Sequence, residues 1–181
     1  APIYNQSDRV EVTSEQPEAD ATRLLGVFAK RAFRRSVTAE ELQPFVALVM
    51  KRMKDGSTFE QAMRAGFAGI MTSPDFIFLR ETPGKLDDFA LASRLSYFLW
   101  SSMPDDELLD LAAQNKLSDA VTLHAQVERL LMDKKAKAFT ENFTGQWLAM
   151  RDIDFTEPSA RLYPEFDDML RASMVREVHL F

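Results

Sequence analysis

The stretch "DFALASRLSYFLW", residues 88–100, constrains this chain more than any other part of it. Leu91, Ala92, Leu95, Phe98 and Leu99 share one helical stripe, and Phe89 and Trp100 project from the other side. Only Ser93, Arg94 and Ser96 interrupt the apolar surface. A helix that is apolar nearly all round must be enclosed by other elements. The spacing therefore predicts a buried central helix over residues 87–101, with further helices packed around it. Helical periodicity recurs in every long segment and strand-length alternation does not, which makes the chain all-α.

Start and stop signals divide it further. The stripe Leu24, Leu25, Phe28 and Ala32 predicts a first helix from Asp20 to about Arg35. In "VTAEEL", Thr38 and Glu41 have capping-box spacing, with Val37 and Leu42 as the hydrophobic staple. Gly56 is a natural left-handed stop, and Ser57 with Glu60 repeats the box before a third helix. Pro74 ends that helix, and Phe76 to Leu79 reads as a short extended piece. "TPGK" at residues 82–85 is the expected joint between two modules, after which Asp87 caps the central helix. Caps at Ser118 and near Asp133 precede the sixth and seventh helices, residues 151–163 read as loop, and Pro164 opens a final helix. The expected organisation is an extended leader (1–19), a three-helix module (20–83) and a larger helical module (84–181). About eight helices form these two packed modules, with no substantial sheet. The last helix reaches Phe181 without a capping residue, so the natural chain is expected to continue.

Composition bears on function mainly by exclusion. The 181 residues are 46% hydrophobic and 28% charged, enough for a sizeable core. A net charge of −6 argues against a broad nucleic-acid surface, and no apolar run has the length to insert in a membrane. The absence of cysteine removes disulfides, thiolate metal sites and c-type haem attachment from these residues. With two histidines, no metal-ligand spacing, no glycine-rich phosphate loop and no nucleophile elbow, neither a metal site nor a catalytic residue is assigned.

The run Asp105, Asp106 and Glu107 in "WSSMPDDELLD" invites a carboxylate-site reading. Successive residues fan out around a helix, however, whereas a metal site wants carboxylates converging from one face or from several elements. Ser101 and Ser102 as caps, Pro104 in the first turn and acids at the positive end of the dipole make this a helix start. Arg94 is a better candidate, because its charge sits on an apolar helix and must find acceptors or water. Helical acids such as Glu128, Glu141 or Glu177 are its expected partners. In "ENFTGQWLAMR", Asn142 and Gln146 lie one turn apart beside the Phe143–Trp147 stripe, and Gly145 allows close approach of another backbone. A ligand groove would use Arg94, Glu141, Asn142 and Gln146 as polar groups and Trp100 and Trp147 as walls. His124 reads as a core-edge histidine.

Three stretches, "FAKRAFRRSVTAEEL", "LDDFALASRLSYFLWSSMPDDELLDLAAQNKL" and "QVERLLMDKKAKAFTENFTGQWL", together with "YPEFDDMLRASMVREVHLF", carry a resemblance. They resemble the helical domains of unknown function 1595 and 1592 found in large exported multidomain proteins of the planctomycete type. Where that family often has "RRPVT" and "DPRA", this chain has "RRSVT" and "DKKA". The resemblance implies an extracytoplasmic setting and a c-type cytochrome-like domain elsewhere in the polypeptide. It brings no catalytic residue and no haem ligand, so no cofactor is expected in this fragment. The expectation is a non-catalytic structural or interaction module whose partners are other domains of the same polypeptide, with a redox partner or a polysaccharide as further partners. The alternatives are part of an oxidoreductase, or a carbohydrate or small-ligand site around Arg94 and Trp147.

Overall fold

The computed structural model describes residues 12–79, 81 and 83–180. Its architecture is all-α, with no strand among the described residues. The helices are α1 (Pro17–Ala32), α2 (Ala39–Lys54), α3 (Phe59–Met71), the single turn α4 (Pro74–Ile77), α5 (Asp88–Trp100), α6 (Asp106–Ala113), α7 (Ala120–Met132), α8 (Lys137–Trp147) and α9 (Asp168–Leu180). Two 3-10 segments, Lys134–Ala136 and Met150–Phe155, flank α8.

Local chemistry sets most of the boundaries. The Glu41 backbone N–H donates to Thr38 Oγ1 at 3.3 Å and the Thr38 N–H donates to Glu41 Oε2 at 3.0 Å, the reciprocal box expected before α2. The second box uses Thr58 and Gln61 instead of Ser57 and Glu60, one residue later than the spacing suggested. Helix α1 starts at Pro17, a residue suited to the first turn, so the leader is shorter than expected. Residues 1–11 of that leader lie outside the described residues. Phe76 and Ile77 belong to a helical turn, not an extended piece. Asp119, not Ser118, caps α7. Residues 150–155 form a 3-10 helix within the predicted loop. Pro164 falls in a turn closed by the Phe166 N–H donating to Tyr163 O at 3.1 Å, and α9 begins only at Asp168.

Two apolar clusters result. The N-terminal core gathers Leu25, Ala29, Leu42, Val46, Val49, Met63 and Ile70 from α1, α2 and α3. Gly66 makes that packing possible, because a Cβ there would stand 2.7 Å from Val49 Cγ2. The C-terminal core gathers Ala92, Leu99, Trp100, Leu108, Ala112, Leu117 and Leu130. A buried carboxylate pins it: Asp88 Oδ2 accepts the N–H groups of Leu117 at 2.7 Å and Ser118 at 3.2 Å, tying the α6–α7 turn to the start of α5.

The central helix departs from the expectation of complete burial. Ala92, Ser96, Leu99 and Trp100 are enclosed, but Phe98 is 63% exposed and Tyr97 also reaches solvent. The reason is that α8 covers only one flank of α5, and α8 itself fully buries only Gly145.

Filling the contact at Gly66 tests the close packing. Gly66→Val is expected to destabilise the chain by about 1–3 kcal/mol through overpacking against Val49 and Leu25. Equilibrium denaturation should show a lower midpoint at an unchanged slope.

Candidate functional site

The most distinctive surface lies where α5 meets α8. Phe139, Phe143 and Trp147 recur every fourth residue, so they stand in one row along α8. Phe98 of α5 extends the row, its ring edge-on to Phe139 at 5.0 Å between centroids. Phe139 and Phe143 stack at 5.6 Å, and Phe143 and Trp147 follow at 5.7 Å. Trp147 is 71% exposed at the end of the row.

The rings form one wall of an open cleft of about 690 Å³, whose other lining residues are Tyr97, Ser101, Asn142 and Gln146. Among the described residues, no acidic or basic side chain lines it. Asn142 is held from both ends: its Nδ2 donates to Ser101 Oγ at 2.5 Å, and Arg151 Nη2 donates to its Oδ1 at 2.8 Å. Backbone geometry brings both partners in. Ser101 ends α5 in a left-handed conformation (φ +51°), and Ala149 (φ +51°) turns the chain after α8 so that Arg151 folds back. Gly145 leaves room for the Arg151 stem, whose Nε would lie 3.6 Å from a Cβ at that position. What approaches Gly145 is therefore a side chain, not a second backbone, and a Cβ there would meet it at ordinary contact distance.

With this geometry in view, a family model described as "PSD4: Protein of unknown function (DUF1592)" matches residues 86–181. The chain belongs to this family. A second model, "PSD5: Protein of unknown function (DUF1595)", matches residues 20–81, so two domains of unknown function are present. No curated protein and no solved structure matches the chain.

Of the six residues singled out from sequence, the PSD4 domain brings three into the cleft: Asn142, Gln146 and Trp147. The other three lie elsewhere. Arg94 is exposed and pairs with Glu81, its Nε donating to Oε1 at 2.7 Å and its Nη2 to Oε2. Its partner is therefore an acid in the connecting loop, not a helical one. This pair holds the Glu81 carboxyl below the ordinary carboxylate range. Glu141 makes a surface pair with Lys137 one turn away, at 3.0 Å. Trp100 is 4% exposed in the C-terminal core, where its Nε1 donates to Leu130 O at 2.9 Å. His124 is exposed beside Glu128, not at a core edge. Among the described residues, no three His, Asp or Glu side chains gather as a metal site would require.

Sequence reading missed Tyr97, Ser101 and Arg151 as parts of this site. A tyrosine and a serine at a helix end have no signal of their own, and Arg151 is placed by a left-handed alanine that no residue type announces.

The acid run is a cross-link. Asp105 caps α6 by accepting the Leu108 N–H at 3.0 Å, and Pro104 precedes that cap instead of occupying the first turn. Its carboxylate also takes two bonds from Arg129 of α7, at 2.7 and 3.1 Å. Glu107 accepts from Gln126 at 2.8 Å, while Asp106 points away toward Arg31. Burial works to raise the Asp105 pKa, but Arg129 and the Leu108 N–H outweigh it and hold the carboxyl below its ordinary value.

A carboxylate with a depressed folded pKa contributes stability that is present above its unfolded pKa of ~3.9 and is lost as pH falls through the folded value. Asp105→Asn is therefore expected to lower stability most above about pH 4 and to converge on the wild type in stronger acid. Thermal melts between about pH 6 and pH 2.5 would show this, and parallel curves would contradict it.

Proposed function

We propose that this chain is a non-catalytic helical interaction region of an exported multidomain protein that carries a c-type cytochrome-like domain elsewhere in the same polypeptide. Residues 20–83 and 84–181 are its two modules. The α5–α8 face is the interaction surface, and its occupant is an amphipathic helix from another domain of the same polypeptide. The setting rests on the resemblance of "ASRLSYFLWSSMPDDELL" and its neighbouring stretches to exported proteins of the planctomycete type.

The observation that carries the docking reading is the uncovered row Phe98, Phe139, Phe143 and Trp147. A ridge of side chains at every fourth position matches the groove of a second helix, as in the commonest class of helix packing. The mostly apolar, neutral lining suits an apolar helical face, since a charged partner would lose hydration against the rings. Aromatic rings grouped in this way are also the usual anchors of protein interfaces.

One observation favours a second reading. Trp147 shares the cleft with the two carboxamides of Asn142 and Gln146, a combination that suits a neutral carbohydrate through ring stacking and amide hydrogen bonds.

Hydrogen exchange of residues 137–147 separates the two. Amide protection there is expected to rise by roughly tenfold or more in the longer polypeptide relative to this chain alone, as docking removes the openings that allow exchange. Phe143→Asp together with Trp147→Asp should abolish the gain. Equal protection in both contexts would refute the docking reading, and protection induced by neutral oligosaccharides alone would establish the second.

A further inference from the structure

We infer that the two cores are joined by an electrostatic latch, so that ionic strength controls whether they move as one body. The observation behind this is the chemistry of the contacts that cross between them. The apolar clusters share no residue. Among the described residues, three ion pairs span the joint: Lys30 with Asp110 at 3.2 Å, Arg31 with Asp106 at 3.9 Å, and Glu81 with Arg94. Lys30 and Arg31 are in the last turn of α1, and Asp106 and Asp110 lie one turn apart on α6. The end of one helix thus presents two cations to an edge bearing two acids. Lys30 and Arg31 suit the C-terminal end of the α1 dipole and Asp106 the N-terminal end of α6, so these charges would stay in place with the joint open.

The connecting segment has a similar character. Arg34, buried and in a left-handed conformation (φ +57°), donates through Nη2 to the carbonyls of Asp75, Phe76 and Phe78 at 3.1, 3.1 and 3.2 Å. That clamp makes the chain up to Phe78 ride with the N-terminal core. Glu81, the last residue of the PSD5 match, instead reaches across to Arg94 within the PSD4 match. Between them lies a small cavity lined from both sides, by Phe33, Arg35 and Asp75 and by Asp87, Phe89 and Ser93.

Opening the joint separates these solvated charges and uncovers the cavity that Phe33, Leu79 and Phe89 help to line. Exposed pairs of this kind are individually weak and are screened by salt, with a Debye length of about 10 Å at 0.1 M and about 3 Å at 1 M. The latch holds at low ionic strength and releases as salt rises, while each core stays folded on its own apolar cluster.

The absence of cysteine makes the test direct. Val27→Cys on α1 and Val121→Cys on α7, both exposed, accept a donor and an acceptor dye in the otherwise intact chain. Single-molecule energy transfer is read between about 20 mM and 500 mM sodium chloride, a range over which the Debye length shrinks from well beyond these separations to about the same size. The close-distance population is expected to fall by roughly threefold or more across that range, with helical circular dichroism unchanged. Neutralising the acids (Glu81→Gln, Asp106→Asn and Asp110→Asn) is expected to produce the high-salt distribution already at low salt. Exchanging one pair, Glu81→Arg with Arg94→Glu, should restore the salt response that Glu81→Arg alone weakens. A distance distribution that ignores salt in the parent chain overturns the proposal, and so does a neutralised chain that keeps the low-salt distribution. The salt titration of the parent stands by itself if a substituted chain fails to fold.

Discussion

The C-terminal half depends on Trp100. Its indole sits where α5 ends, its Nε1 donates to the Leu130 carbonyl near the end of α7, and Lys135 in the turn before α8 lies 4.3 Å above the ring. One side chain thus ties together the end of α5, the end of α7 and the entry to α8. Burying an indole brings a large apolar gain only if its N–H finds an acceptor, and a helix C-terminus has carbonyls to spare. The direction of α8 follows from that bond, and so does the row of rings it carries past Phe98. The aromatic face is downstream of this buried tryptophan, whose cluster Phe139 packs against at the start of the row.

The two regions of interest have opposite chemistry. On the α5–α8 face the rings are exposed and the polar groups are neutral and pre-oriented, as when Asn142 is held between Ser101 and Arg151. Between the cores exposed ion pairs cross the joint beside a small cavity that Phe33 and Phe89 line from either side. An apolar face tolerates salt and demands cover, whereas a charged joint tolerates water and responds to salt. The chain separates these behaviours along its length, so that a partner bound at one place need not disturb the other.

Much of the fold was legible because its signals are local. A threonine three residues before a glutamate satisfies two backbone groups wherever it occurs, and the start of α2 follows. The stripe of α8 was equally plain, yet its meaning was not, since periodicity reports which residues share a face and says nothing of what covers it. Phe98 shows the same limit on α5, where hydrophobicity alone cannot distinguish an interior ring from an uncovered one. The partner of Arg94 is not legible in helical spacing, because Glu81 stands 13 residues earlier in a loop. Asp88 was hidden beside the capping Asp87, as adjacent aspartates look alike until one of them is enclosed.

Arg34 carries two burdens at one position. A left-handed backbone is cheapest for glycine, yet glycine would surrender the three carbonyl bonds that hold α4 to the end of α1. Lysine has a single point-like head without the planar fork, and no other side chain combines that length with a permanent charge. Arg31 has a helix-end role that another cation could fill, whereas Arg35 forks onto both oxygens of Glu41 at 3.0 and 2.8 Å and lies over the Phe33 ring. Three arginines spaced closely in a sequence thus carry three different demands: a charge at a helix end, a planar fork for a carboxylate, and a long donor reaching three carbonyls from a left-handed backbone.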